Sequence, residues 1–184
     1  CNPITNGHLS LIREACTRCD RLYLFIVEEN RSAISFADRF ALARAAVRDI
    51  PKVRVCRSGA YMISGITFPT YFLKETEDPS AVQSELDAEL FAARLAPALG
   101  ITVRFAGEEP FDPVTRVYNE AMRSILPRHG IEFCVLPRAE ADGVPISASV
   151  VRRIAREQGG DAPALRALVP DCTTAYLANS DFAR

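Results

Sequence analysis

The sequence lacks the features that mark nucleic-acid-binding and membrane-spanning proteins. Its 22 Lys and Arg residues nearly balance 23 Asp and Glu residues, which leaves a net charge of −1 over 184 residues. No broad basic surface for DNA, RNA or an acidic membrane is therefore expected. The apolar runs, such as residues 22–27, fall far short of the ~18 residues of a membrane-spanning helix. Hydrophobic residues still make up 48% of the chain, enough for one globular domain with a sizeable core.

Cysteine and histidine are too sparse for a disulfide framework or a zinc site. The six cysteines lie mostly inside apolar segments, so we expect buried free thiols in the reducing cytoplasm. Cys16 and Cys19 form a C-x-x-C pair, but no second pair accompanies it and the chain has only 2 histidines. The sequence therefore predicts no protein-held metal.

Short apolar runs alternate with amphipathic segments along the chain. Strands are predicted at 21–27, 53–56, 101–106 and 131–136. Apolar spacing predicts helices at about 8–19, 36–50, 80–99, 113–126 and 149–158, and two short helices near 163–168 and 173–179. This alternation predicts an α/β fold with a Rossmann-like parallel sheet and flanking helices, in which ligands bind beyond the carboxyl ends of the strands. No linker divides residues 1–184, so we expect a single domain, and because Cys1 is not Met we expect a fragment of a longer chain.

The loop at residues 1–8 brings a glycine and two polar side chains to a helix start. Gly7 lets a ligand approach the backbone closely, and the helix N-terminus offers unpaired N–H groups and partial positive charge to an anion. Thr5 adds a hydroxyl, and His8 adds an imidazole three residues later. These groups fit a compact phosphate site, but the spacing fits equally well a helix capped by Thr5 with His8 on the surface.

The loop at residues 145–149 precedes the predicted helix at 149–158. Ser147 or Ser149 is a good N-cap, and Arg152 falls in the predicted first turn. Bare N–H groups, two hydroxyls and a guanidinium would form a second anion site. By itself this pattern is more typical of an ordinary capped helix, although arginines in a first turn oppose the helix dipole and so favour a nearby anion.

Together the two loops resemble the signatures of the nucleotidyltransferase (HUP-type) superfamily, (T/H)xGH and ISSSxVR. Thr5-Asn6-Gly7-His8 matches the first, and Ile146 to Arg152 matches the second with Ala148 in place of a serine. Residues 64–74, 107–119 and 145–152 make nearly the whole chain similar to the C-terminal nucleotidyltransferase-like domain of the citrate lyase ligase family. That superfamily has a strand before its first signature, which we expect to be missing here, and the family usually carries an acetyltransferase-like N-terminal domain that this sequence does not contain.

The resemblance implies a reaction and a set of residue roles. ATP and acetate, with Mg²⁺, would give acetyl-adenylate and pyrophosphate, and the acetyl group would pass to the thiol prosthetic group of the citrate lyase acyl-carrier subunit, activating the lyase. Thiol transfer would depend on the missing N-terminal part, so adenylation is the safer prediction. By the same resemblance, Thr5 and His8 would contact the α- and β-phosphates, with His8 stabilising the transition state. Pyrophosphate would be held by Ser147, Ser149 and Arg152, and the nucleotide would lie against Gly7 and Gly107.

Two further positions are weaker candidates. Lys74 could reach a phosphate or the acetate carboxylate, and Glu109, close behind Gly107, could contact the nucleotide. A lone lysine and a loop carboxylate are more often solvated surface charges. No cluster of carboxylates that would hold a metal is evident.

Two other functions stay open. Residues 3–8 are also very similar to the loop of pantetheine-phosphate adenylyltransferase, in which a phosphate rather than acetate attacks ATP. Residues 68–74 fit the ligase better, and 184 residues without the first strand is long for that compact enzyme. The third reading is a nucleotide-binding domain without catalysis. The presence of both Thr5 and His8 speaks against it, because binding alone does not need an imidazole.

Overall fold

The computed structural model describes residues 1–28, 33–59, 79–108, 113–141 and 143–180. The chain divides into two compact units. The first unit comprises Cys1–Arg57 with Pro137–Arg184, and the second unit comprises Ser58–Leu136. The expectation of a single domain over 1–184 stays a prediction. In the described ranges, no helix has the length and apolar character needed to cross a membrane.

The helices and strands follow the alternation predicted from the sequence. The strands are β1 (Leu22–Ile26), β2 (Val53–Arg57), β3 (Val103–Gly107), β4 (Glu132–Leu136), β5 (Glu140–Ala141) and β6 (Val144–Pro145). The helices are α1 (Asn6–Thr17), α2 (Phe36–Ala46), α3 (Pro79–Leu90), α4 (Ala96–Leu99), α5 (Pro113–Ile125), α6 (Ala148–Gln158), α7 (Leu165–Leu168) and α8 (Asp171–Asn179). A π-helical segment, Phe91–Leu95, joins α3 to α4, and a 3₁₀ turn, Leu126–His129, follows α5.

Each unit contains one pair of parallel strands with a helix between them in sequence. In the first unit β1 pairs with β2, with Leu22 beside Val53, and α2 makes the crossover that parallel strands require. In the second unit β3 pairs with β4, with Val103 beside Glu132, and α5 makes the crossover. The predicted α/β class with parallel strands is confirmed. The short antiparallel hairpin β5–β6 was not predicted, because two-residue strands carry no periodic signal.

The core of the first unit lies where α1 and α2 pack on β1 and β2. Leu9 and Ile12 of α1, Ile26 of β1 and Leu42 of α2 are all buried in one cluster. Burial of each such side chain contributes about 1.5–3 kcal/mol. A second cluster in this unit joins α6, α7 and α8 through Val151, Ala155, Leu165, Val169 and Leu177. These two clusters support the loops that open α1 and α6.

The C-x-x-C pair lies at the end of α1. Lys52 Nζ donates to the carbonyl oxygens of Cys16 at 2.8 Å and Cys19 at 2.9 Å, so a cation closes the negative end of the helix. All six cysteines are free, but only Cys16 is buried, and Cys1 is exposed. The expectation of buried thiols is therefore correct for Cys16 and wrong for Cys1, and the other four cysteines are partly buried.

The second unit has its own core and a buried polar cluster. Phe91, Met122 and Leu126 are buried together. The guanidinium of Arg104 lies 4.2 Å from the centre of the Phe91 ring and donates to the Tyr118 hydroxyl at 2.5 Å. That hydroxyl donates in turn to Asp87, and burial raises the pKa of Tyr118. These contacts join β3 to α3 and α5.

Gly160 is a position where any side chain would collide with α8. A Cβ at Gly160 would lie 2.0 Å from the Leu177 carbonyl oxygen and 2.4 Å from its carbonyl carbon. We expect Gly160→Ala to lower the free energy of unfolding by about 3 kcal/mol or more, since backbone must move. The control is Gly143→Ala, where φ is +76° and nothing lies within 4 Å of the added Cβ, so only about 1–2 kcal/mol of backbone strain is expected. Urea unfolding followed by circular dichroism measures both, and equal losses would contradict the predicted collision.

Candidate functional site

Thr5 and His8 close the start of α1 with reciprocal hydrogen bonds. Thr5 is the N-cap and is fully buried. Its Oγ1 accepts from the His8 backbone N–H at 3.3 Å, and its own backbone N–H donates to His8 Nδ1 at 3.0 Å. The arrangement is a capping box in which an imidazole takes the place that Glu or Gln usually occupies. The helix-cap reading of Thr5 is thus correct, and the same contacts fix the imidazole of His8.

These contacts determine which nitrogen of His8 carries the proton. A backbone N–H can only donate, so Nδ1 accepts and the proton of the neutral ring lies on Nε2. The Thr5 hydroxyl, 2.7 Å from Nδ1, supports the same tautomer. Burial, the largest cause, and the positive charge of Arg138 lower the pKa of His8 to about 3. At neutral pH His8 is therefore an uncharged ring with an Nε2–H donor, which has no partner within the described part of the chain.

Gly7, at the start of α1, packs closely against Ile146 of the second loop. A Cβ on Gly7 would lie 3.0 Å from the Ile146 carbonyl oxygen and 3.3 Å from Ile146 Cβ. A larger residue would therefore push residue 146 away from the start of α1. The sequence suggested that this glycine admits a ligand, and the structure adds a packing reason. Its contact with a nucleotide stays a prediction.

Ser147, in the second loop, is the N-cap of α6. Ser147 Oγ accepts from the Val150 backbone N–H at 3.2 Å and lies 3.0 Å from Ser149 Oγ. Because Ser147 rather than Ser149 is the cap, α6 begins at Ala148, one residue earlier than predicted. Arg152 consequently lies in the second turn, and the expectation that it opposes the dipole in the first turn was wrong.

Arg152 reaches back to the first loop. Its Nη1 donates to the Asn2 carbonyl oxygen at 2.6 Å. Burial, and then the positive charge of Arg156, lower the pKa of the guanidinium, which remains charged at neutral pH. Arg152 has no carboxylate partner among the residues that the structure describes. Its positive charge is therefore open to compensation by an anion.

Six of the predicted site residues lie in the first unit, at the caps and in the first two turns of α1 and α6: Thr5, Gly7, His8, Ser147, Ser149 and Arg152. Gly107 ends β3 in the second unit, where Asn119 Nδ2 donates to its carbonyl oxygen at 3.2 Å. Lys74 and Glu109 lie outside the described residues. The sequence analysis assigned no role to Asn2, which lies before a proline and accepts from Arg152.

The donor groups of these residues suit a negatively charged ligand. They include an imidazole N–H, two hydroxyls, a guanidinium and the N-termini of α1 and α6, all of which favour negative charge. Across the described ranges no group of three or more His, Cys, Asp or Glu side chains could hold a metal ion. The site therefore fits phosphate groups better than a protein-held cation.

Comparison with known proteins agrees with this chemistry. Residues 1–177 match the family described as citrate lyase ligase C-terminal domain. The chain is 46% identical over 180 residues to a [citrate [pro-3S]-lyase] ligase of Klebsiella pneumoniae, covering 96% of this chain and 52% of that protein. It is 42% identical over 183 residues to the Escherichia coli enzyme of the same name, covering 97% and 51%. A phosphopantetheine adenylyltransferase of Moorella thermoacetica is 41% identical over 56 residues, covering 29% of this chain and 35% of that protein. The chain spans about half the length of the citrate lyase ligases it matches.

Proposed function

Since this chain belongs to the citrate lyase ligase C-terminal domain family, we propose that it activates acetate with ATP on the loops that open α1 and α6. An acetate oxygen attacks the α-phosphorus of ATP, and the bond from that phosphorus to the bridging oxygen breaks. Pyrophosphate leaves with the electron pair, and acetyl-adenylate remains. The observation that carries the proposal is the pairing of a neutral His8, held by Thr5, with an Arg152 that has no carboxylate partner in the described ranges.

The residues act by position and electrostatics. His8 donates from Nε2 to a nonbridging α-phosphate oxygen, where charge builds up as the nucleophile arrives. Thr5 holds the ring in the tautomer that can donate. Ser147, Ser149 and Arg152 bind the β- and γ-phosphates and retain pyrophosphate as it leaves. None of these residues needs to transfer a proton, because acetate is already ionised at neutral pH.

Magnesium enters as part of the substrate, Mg–ATP. The donor set of the site contains hydroxyls, N–H groups and a guanidinium, and no cluster of carboxylates among the described residues offers a resident metal site. The ion would therefore be held by phosphate oxygens, whose charge it offsets. Gly107 at the end of β3 is proposed to lie against adenine, and Lys74 and Glu109 are proposed to contact acetate or phosphate and nucleotide, respectively.

In the second step we propose that the acetyl group passes to the thiol prosthetic group of the citrate lyase acyl-carrier subunit. The sulfur attacks the acetyl carbon, AMP leaves, and the thiol proton goes to solvent. Support for this partner comes from the names of the relatives, which are citrate lyase ligases. Six free cysteines support a reducing, cytoplasmic location for the protein.

Trapping with hydroxylamine tests the proposal. The chain is incubated with Mg–ATP and hydroxylamine, and with acetate, phosphopantetheine or nicotinate mononucleotide in separate reactions. We expect pyrophosphate release only in the reaction that contains acetate, together with the formation of acetohydroxamate. Circular dichroism and ATP titration on the same sample establish that the chain is folded and binds nucleotide.

The other outcomes identify the other functions. Pyrophosphate release only in the reaction with phosphopantetheine would replace the ligase by an adenylyltransferase. If the chain binds ATP but releases no pyrophosphate with any of the three acceptors, a nucleotide-binding domain without catalysis would replace both enzymes.

A further inference from the structure

We propose that Asn2 and Arg39 are positioning residues that hold Arg152 in place for pyrophosphate. A series of hydrogen bonds links Arg152 to Asn2, Asn2 to the backbone N–H of Ile34, and the backbone C=O of Ile34 to Arg39. This inference rests on the proposed function for its ligand, while its geometry lies wholly within the first unit. Neither Asn2 nor Arg39 is itself placed against substrate.

Asn2 contributes both its main chain and its side chain. Its carbonyl oxygen accepts from Arg152 Nη1 at 2.6 Å, a charge-assisted bond to a residue 150 positions away in sequence. Its side-chain Oδ1 accepts from the Ile34 backbone N–H at 3.2 Å. The amide side chain therefore fixes the orientation of the peptide group that orients the guanidinium.

Arg39 fixes the other end of the line. It is buried, with 6% of its surface exposed, and its Nε donates to the Ile34 carbonyl oxygen at 3.2 Å. Its Nη2 donates to the Val27 carbonyl oxygen at 3.0 Å. Ile34 is itself 1% exposed; its backbone N–H bonds to Asn2, and its backbone C=O, in the next peptide group, bonds to Arg39. The backbone on either side of Ile34 therefore cannot shift without breaking a buried hydrogen bond.

The consequence is a specific effect on phosphate binding. Without the Asn2 side chain, the Ile34 N–H loses its acceptor and the Asn2 carbonyl is no longer held toward Arg152. The guanidinium keeps its charge but loses its fixed direction, so its bonds to pyrophosphate weaken. His8 is held by Thr5 rather than by Asn2, so binding should be affected far more than the transition-state contact.

The test is a double-mutant cycle with inorganic pyrophosphate as the probe, its dissociation constant measured by calorimetry. Asn2→Ala should weaken binding about 10-fold in the wild-type chain. In the Arg152→Ala background the same change should weaken it less than about 2-fold, because the residue that Asn2 positions is gone. Asn179→Ala removes an asparagine bond to the Ala175 carbonyl in α8, and is expected to leave binding unchanged.

Arg39→Lys provides a second, milder variant. An ammonium donates from one point, whereas the guanidinium reaches two carbonyls from separate nitrogens. We expect a loss of about 3- to 10-fold in the wild-type chain, and again less than about 2-fold without Arg152. Losses that persist undiminished in the Arg152→Ala background, for either variant, would show a merely structural role and overturn the inference. A wild-type chain that is folded but binds no pyrophosphate would instead overturn the proposed function.

Discussion

Replacing His8 with alanine should slow acetate-dependent pyrophosphate release by about 10²–10³-fold while changing ATP affinity only a few-fold. The reason is that Nε2–H is aimed at charge that develops in the transition state, whereas ground-state binding draws on Arg152 and the serine hydroxyls. Initial rates and calorimetric ATP titration, done on the same preparation, separate the two quantities. A His8→Ala chain that lost binding and rate to the same extent would contradict this division of labour.

The pH dependence of stability and of catalysis tests whether His8 acts as a neutral ring. The pKa is lowered to about 3, so the folded chain keeps a neutral ring while an unfolded chain takes up a proton below about pH 6.5. The ring's contribution to stability is therefore complete above that pH and is lost as the pH falls from about 6.5 toward 3. The pH profile of the wild-type rate should therefore show no inflection near pH 6.5 that comes from His8. His8→Gln, which cannot titrate in this range, should have a profile of the same shape. A wild-type inflection that His8→Gln lacks would mean that an imidazolium acts in the site.

Replacing Arg152 with alanine should raise the KM for ATP and the dissociation constant of pyrophosphate by about 30- to 150-fold, since a charge-assisted bond to phosphate is worth ~2–3 kcal/mol. Arg152→Lys should recover little, because one ammonium cannot both donate to the Asn2 carbonyl and form a forked contact with phosphate. The matched control is Arg153→Ala, which removes the same charge from the next, exposed position of α6. An equal loss in both variants would indicate that only net positive charge matters.

The strands were predictable because each is a short apolar run between turns. β2 was predicted at 53–56 and lies at Val53–Arg57, and β4 was predicted at 131–136 and lies at Glu132–Leu136. The helix predicted at 80–99 is instead interrupted by the π-helical segment Phe91–Leu95. Pro97 follows that segment by two residues. Because proline has no backbone N–H, one regular helical hydrogen bond is missing at Pro97. The sequence does not reveal that a π-helical turn forms in the residues before it.

Some contacts in the site join residues close in sequence, and others join residues far apart in sequence. The Thr5–His8 capping box could be foreseen, because its members are three residues apart on one helix start. The contact of Gly7 with Ile146 and the bond from Arg152 to Asn2 could not, since they depend on how distant loops fold together. Local spacing also left two candidates for the cap of α6, and only the observed bond from Val150 selects Ser147.

The most direct test of acetate activation is isotope exchange between pyrophosphate and ATP. The folded chain is mixed with Mg–ATP and labelled pyrophosphate, with and without acetate, and no acyl acceptor is added. We expect label to enter ATP only when acetate is present, and the exchange to fall by about 10²–10³-fold in His8→Ala. Exchange that proceeds equally without acetate, or no exchange from a chain that binds ATP, would contradict the adenylation of acetate on these loops.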